Sequence, residues 1–205
     1  MKKLLILLFS LLFLSSPSVF ADDISDFTIE GMSIGDSLLD YMTEEEILNK
    51  IEIYEGYQFL KEPYKYIEIY LNKDFSSYDN LTFFIKNNST NQYVGNKNEK
   101  YTIFSIFGSI SYIENFDNCI AKRNEIVEVV SKMFPNVQPQ ELNRSHRADS
   151  SGDSIFDVTA FLLDSGGTIE LSCTDFEETF RIKRNWTEGL NVSINSAEIQ
   201  QWTAN

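Results

Sequence analysis

Chemistry in this 205-residue chain would have to start from a short set of side chains. Ser37 stands in Gly35-Asp36-Ser37-Leu38, Ser165 stands in Asp164-Ser165-Gly166-Gly167, and His146 is the one histidine. A serine becomes a nucleophile when a base takes its proton, a third group orients that base, and donors receive the oxyanion. Only His146 could be the base for either serine. The residue three places before it is Asn143 rather than an acid, and Ser165 follows it by only 19 residues. Gly-Asp-Ser also recurs at Gly152-Asp153-Ser154, so the triplet is common in this composition. The favoured reading makes Asp36 or Ser37 a helix cap after a glycine turn. Asp164 to Gly167 reads as a hairpin loop whose glycines accept positive φ.

Metal chemistry has even fewer ligands to draw on. Asp149, Ser151, Asp153 and Asp157 are spaced somewhat like a calcium loop. The glycine falls at the fourth position instead of the sixth, and position twelve is Ala160 instead of Glu. One His and two Cys do not make a zinc centre. No cofactor is expected.

The elements that must carry these residues begin with a segment to be set aside. Residues 1–21 combine Lys2-Lys3, an apolar run from Leu4 to Leu14, and Val19-Phe20-Ala21, the pattern of a cleavable secretory signal with cleavage between Ala21 and Asp22. The apolar run is too short for a bilayer crossing, which takes about 18 to 25 residues. The remainder, residues 22–205, reads as a single domain of 184 residues with no transmembrane segment. Removing two lysines and no acid takes the net charge from −14 to −16. Such a balance, with a pI near 4.4, argues against a nucleic-acid partner, which needs clustered Lys and Arg.

Export changes the meaning of the two cysteines. Cys119 lies on the apolar stripe of an expected long helix, and Cys173 is in phase with Ile169 and Leu171 on an expected strand. Both point at one core, so a Cys119–Cys173 disulfide is expected in an oxidising compartment.

Between these landmarks the apolar periodicity alternates between periods of two and 3.6. Phe27-Thr28-Ile29 reads as a short strand, followed by a glycine turn and a helix from about Asp36 to Tyr41. Thr43 and Glu46 form a capping box for a second helix, Glu44 to about Ile51. Strands are expected at Tyr66–Leu71, Leu81–Ile85 and within Tyr101–Tyr112, with a bulge or bend at Gly108 and a polar loop over Asn87–Asn98. A helix capped by Asp117 or Asn118 should end before Pro135. Gln138–Asp153 reads as polar connection, Ile155–Leu163 and Thr168–Cys173 as a hairpin. Phe180-Arg181-Ile182-Lys183 and Leu190 to Ile194 suggest two more strands, and Ala197–Trp202 a last helix. The expected architecture is α+β: an antiparallel sheet of about six or seven strands packed on one long helix, with short N-terminal helices.

Two surfaces could bind a partner. Tyr64, Tyr66 and Tyr70 share an expected strand face with Glu68, and tyrosine joins apolar area to a hydroxyl. Arg181, Lys183 and Arg184, with Arg144, His146 and Arg147, are the base-rich clusters of an acidic molecule and suit an anion or the protein's own acids. The nine acids between Asp22 and Asn49 read as a solvated face and a helix N-terminus, with a cation site as the sharper alternative.

Some of these residues resemble known families. Gly35-Asp36-Ser37-Leu38 matches the tetrad of the GDSL hydrolases, a resemblance that would make Ser37 a nucleophile. The Gly-x-Asn-Asp block and the C-terminal Asp-x-x-His of that family have no counterpart in this sequence. The stretch from Phe27 to Leu39, together with Cys119 and Cys173, is similar to small exported proteins of unknown function from compact-genome marine alphaproteobacteria. The strand, Gly31-Met32-Ser33 and helix opening also resembles BamE-like envelope modules. These likenesses imply a periplasmic or secreted address and an unknown envelope protein or small ligand as partner. The function expected is therefore a non-enzymatic binding or envelope-associated module, with an exported serine esterase using Ser37 as the alternative.

Overall fold

Strict alternation of Ile, Leu, Val and Phe with polar residues produces strands that are apolar on one face only, and such strands must share a common cover. The computed structural model describes residues 23–71, 74–86 and 100–204. The expected signal, its Ala21–Asp22 junction and the expected loop at 87–98 lie outside the described residues.

Seven described strands form one antiparallel sheet: β1 (Tyr66–Leu71), β2 (Asn80–Lys86), β3 (Ile103–Ser111), β4 (Gln140–Ser145), β5 (Ile155–Leu162), β6 (Thr168–Asp175) and β7 (Gly189–Asn195). Their order is β1-β2-β3-β7-β6-β5-β4. The sheet is thus two three-stranded meanders joined by the last strand of the chain. Ile67, Ile69, Phe83, Ile85, Ile106, Val192, Ile194 and Leu171 are buried on one face. That face is covered by the long helix α2 (Phe116–Met133), which packs on β6 and β7, and by α1 (Glu44–Glu52), which packs on β1. The α+β architecture agrees with the expectation from periodicity.

Local signals explain most boundaries. The Thr43 hydroxyl accepts from Glu46 N at 3.3 Å while Glu46 Oε2 accepts from Thr43 N at 2.8 Å, the reciprocal cap of α1. Cys119 and Cys173 are joined, closing a 54-residue separation. One turn further along α2, buried Arg123 pairs with Asp157 on β5, the direct cross-strand partner of Cys173. Asn143 on β4 donates to the other oxygen of Asp157 at 2.9 Å. Helix α2 is therefore tied to three adjacent strands by one covalent bond and one polar chain.

Several expectations need correction. The segment Phe180–Lys183 is not a strand: it belongs to helix α3 (Glu178–Arg184). Its Phe/Ile alternation suits a strand, yet the Glu177 carboxylate accepts from Thr179 N and Phe180 N, and three basic residues occupy the last turn, where the helix dipole favours them. Within the expected connection 138–153 lies edge strand β4, polar because both of its faces meet solvent. The first helix shrinks to a 3-10 turn, Leu38–Asp40. The short strand at Phe27–Ile29 reduces to a bridge, Ile29 with Met32, across Glu30 and Gly31. Helix α2 starts at Phe116 after Asn115, ahead of the expected caps. Gly108 makes no bulge; a Cβ there would lie 2.6 Å from the Tyr78 ring, so the glycine admits a close approach. The register shift falls instead between Phe84 and Ile85. A final helix, α4 (Ala197–Thr203), comes after β7.

Because the disulfide closes a long loop in the unfolded chain, Cys119→Ala with Cys173→Ala should destabilise the protein by roughly 4 kcal/mol. Urea denaturation midpoints of the oxidised and double-alanine proteins measure this directly.

Candidate functional site: the open face of the sheet

The polar phase of each strand faces away from α1 and α2. One row across this second face runs from Phe107 on β3 to Ser193 on β7 and Glu170 on β6. Its neighbour runs from Glu68 on β1 through Phe84 and Ser105 to Asn195. Short side chains occupy the middle and tall ones the flanks, so a concavity of about 390 Å³ forms between them. The volume lies within the range of small-molecule sites, about 300 to 1,000 Å³. Ser105 and Ser193 are buried at its floor, on the face opposite α1 and α2, and Phe107 is 37% exposed at its rim.

One side of this trough is walled by aromatic packing. Tyr66, Ile199 and Trp202 form a second small cluster with Tyr57, Leu60, Phe84 and Phe104. It is held by Trp202 Nε1 donating to Glu62 O at 2.8 Å and by Tyr66 Oη donating to Glu198 Oε2 at 2.9 Å. Tyr57 Oη donates to Glu68 Oε2 at 2.9 Å. Burial, then the adjacent Glu68 charge, raise the Tyr57 hydroxyl well above its usual pKa, so it stays a donor.

The floor is a hydrogen-bonded chain. Ser105 Oγ donates to Asn195 Oδ1 at 2.6 Å, and Asn195 Nδ2 donates to Ser193 Oγ at 3.2 Å. Ser193 is the direct cross-strand partner of Glu170. No hydrogen bond reaches the Glu170 carboxylate among the described residues. Burial pushes its pKa up, and only the charge of Arg144, on edge strand β4, opposes the shift. Glu68 and Glu170 lie four strands apart, about 19 Å between backbones, too far for the paired carboxyls of glycoside hydrolysis.

The residues singled out from sequence are scattered. Tyr66 is buried in the aromatic wall, Tyr70 is 50% exposed on β1, and Tyr64 precedes the strand at 51% exposure. The three tyrosines do not make one surface. Arg181 turns inward to Glu188, with Nε 3.6 Å from its carboxylate, while Lys183 is exposed on α3. That helix joins the Asp175 end of β6 to the Gly189 end of β7, whereas the trough lies toward their Thr168 and Asn195 ends.

Ser37 caps the 3-10 turn: its hydroxyl accepts from Leu39 N at 3.3 Å and donates to Lys100 O at 2.8 Å. It bridges Thr102, just before β3, whereas His146 sits beyond the strand ends marked by Ser111, Gly189 and Phe156. Eight residues of β3 separate the two ends, about 26 Å. His146 is enclosed by Phe156, Phe176 and Trp186, with ring centroids 6.0, 5.0 and 5.7 Å away. Burial and Arg144 lower its pKa. The residues resembling a calcium loop diverge as well. Asp149 accepts from the backbone and hydroxyl groups of Ser151 and Ser154, which hold its carboxyl far below the usual range, and Asp157 faces Arg123 instead.

Sequence reading passed over Ser105, Phe107, Glu170, Ser193 and Asn195. Their signal was the polar phase of the alternation that located the core, with one acid, Glu170, set between Ile169 and Leu171. No protein-family model, curated protein or solved structure matches the chain.

A raised carboxyl pKa means that ionising Glu170 costs the folded state. The cost is absent where both states are protonated and grows as pH rises through the folded pKa. Glu170→Gln should therefore raise the unfolding temperature at pH 7, with the difference from the parent protein closing by about pH 4. Thermal denaturation at the two pH values checks the sign.

Proposed function

We propose that the protein is an exported, non-enzymatic binding module that takes a small ligand in the trough on its open sheet face. The observation that carries this reading is the trough itself: small polar residues form the floor, aromatic rings and Glu170 form the flanks, and the covering helices α1 and α2 lie on the opposite face. Single sheets with one solvated face are common, but a sheltered floor beneath tall walls is a concave site rather than a plain surface.

Several observations support the periplasmic or secreted address. The Cys119–Cys173 disulfide suits an oxidising compartment, and residues 1–21 have the pattern of a signal. No helix among the described residues is long and apolar enough to cross a membrane. The resemblance to small exported proteins and BamE-like envelope modules points the same way, and an envelope protein is the partner class that the same face would serve if its ligand were a peptide.

Affinity capture from a metabolite extract tests the reading. The immobilised protein should retain compounds that Phe107→Ala, a rim change the fold tolerates, and Ser193→Phe, which fills the floor, both fail to retain. Identical retention by all three proteins would remove the trough from consideration. For the esterase alternative, a fluorophosphonate probe should leave Ser37 unlabelled. Ser37→Ala should instead lower stability by about 1 kcal/mol through the lost cap, measured by urea denaturation.

A further inference from the structure

We propose that the trough receives a molecule carrying one primary ammonium group on an apolar body, with the ammonium seated over Ser193 between the Glu170 carboxylate and the Phe107 ring. This inference rests on the reading of the trough as the binding site and names its ligand class. Phe107, Ser193 and Glu170 are consecutive across three neighbouring strands. The outer two are therefore about 10 Å apart at the backbone, with only a hydroxymethyl group between them. A nitrogen at about 2.8 Å from a carboxylate oxygen and within about 6 Å of a ring centroid fits that gap.

The electrostatics select the sign of the ligand. None of the residues lining the trough is cationic, and two, Glu68 and Glu170, are acids. Lys86 faces the same side of the sheet, but its ammonium lies over the Phe104 ring, 5.6 Å from the centroid, and 3.9 Å from Glu198. Arg144 on β4 is the cation whose charge acts on Glu170, but its guanidinium lies over the Phe156 ring, 5.4 Å from the centroid, and makes no hydrogen bond to the carboxylate. An anion would therefore meet two carboxylates in a trough lined by no cation. A neutral polyol would supply donors to Glu170 but no charge, leaving the more distant Arg144 as its counter-charge, and a part-buried charge without a partner in contact is costly. An ammonium supplies both the donors and the charge. Ser193 Oγ accepts one hydrogen bond from Asn195, which leaves a second lone pair for the ligand nitrogen.

The number of charges also follows. Glu68 already accepts from Tyr57 Oη, so the far end of the trough presents an engaged carboxylate beside the rings of Phe84 and Tyr57. That end suits an apolar or aromatic body better than a second ammonium. The overall net charge of −14 further favours encounter with a cation.

The test is an amide-shift titration of the isotopically labelled, disulfide-bonded protein with phenethylamine, with 2-phenylethanol as the uncharged analogue and maltose as a neutral polyol. Phenethylamine should shift Phe107, Ser193 and Glu170 and bind at least about tenfold more tightly than 2-phenylethanol. Glu170→Gln should remove about tenfold of the amine affinity and leave that of the alcohol unchanged. Thermal unfolding establishes that the variant is folded. Equal affinity for the amine and either neutral probe, or an amine affinity untouched by Glu170→Gln, would overturn the ammonium assignment while leaving the trough as a binding site. Absence of trough shifts with all three probes would overturn both readings.

Discussion

The attachment of helix α2 to the sheet is the constraint on which the rest of this structure depends. A sheet of seven strands offers two faces, and one helix of 18 residues can cover only part of one. The Cys119–Cys173 bond fixes that helix to β6, and the Arg123–Asp157 pair, one turn along, fixes it to β5. The two anchors are neighbours on the helix and neighbours across the strands, so neither the tilt nor the position of α2 is free. Asp157 is an ion-pair partner with little intrinsic contribution to stability, since desolvation offsets much of the attraction. Its value is positional: Asn143 joins the same carboxylate and brings edge strand β4 into register.

With the long helix and α1 committed to one face, the other must be stable without them. The chain achieves this with serines and an asparagine whose polar groups are satisfied by each other along the floor, and with an aromatic wall that carries its own hydrophobic cluster. Glu170 departs from that pattern. A carboxylate with a raised pKa and no hydrogen-bond donor among the described residues opposes folding, and residues that reduce stability in the unliganded protein concentrate where a ligand supplies the missing partner.

The core was legible in the sequence because its signal is periodic. Ile67, Ile69 and Leu71 repeat at two residues, α2 repeats at 3.6, and Thr43 and Glu46 announce their helix through reciprocal hydrogen bonds. The disulfide was legible because both cysteines occupy the apolar phase. Strand β4 was not, since an exposed edge strand carries no apolar phase, and α3 was not, because Phe180 and Ile182 alternate as in a strand over a window too short to show a helical period. The decisive signs at α3 were electrostatic, acids at its start and bases at its end. The trough was hidden for a different reason: Phe107, Ser193 and Glu170 are neighbours only through pairing between distant strands, and no spacing along the chain encodes that register.

Strand order then explains where a site can form in such a fold. Phe107 belongs to the first meander, Glu170 to the second, and Ser193 to the strand that joins them. Until β7 is inserted, β3 and β6 are both open edges, and neither meander holds a floor for the trough. Strand β7 is antiparallel to both neighbours and places its apolar phase, Leu190, Val192 and Ile194, under α2. Its polar phase, Asn191, Ser193 and Asn195, must then face the open side, because a strand cannot shift one residue without exposing its whole apolar set. The core of the protein thus fixes the floor of the site from the opposite face of the sheet.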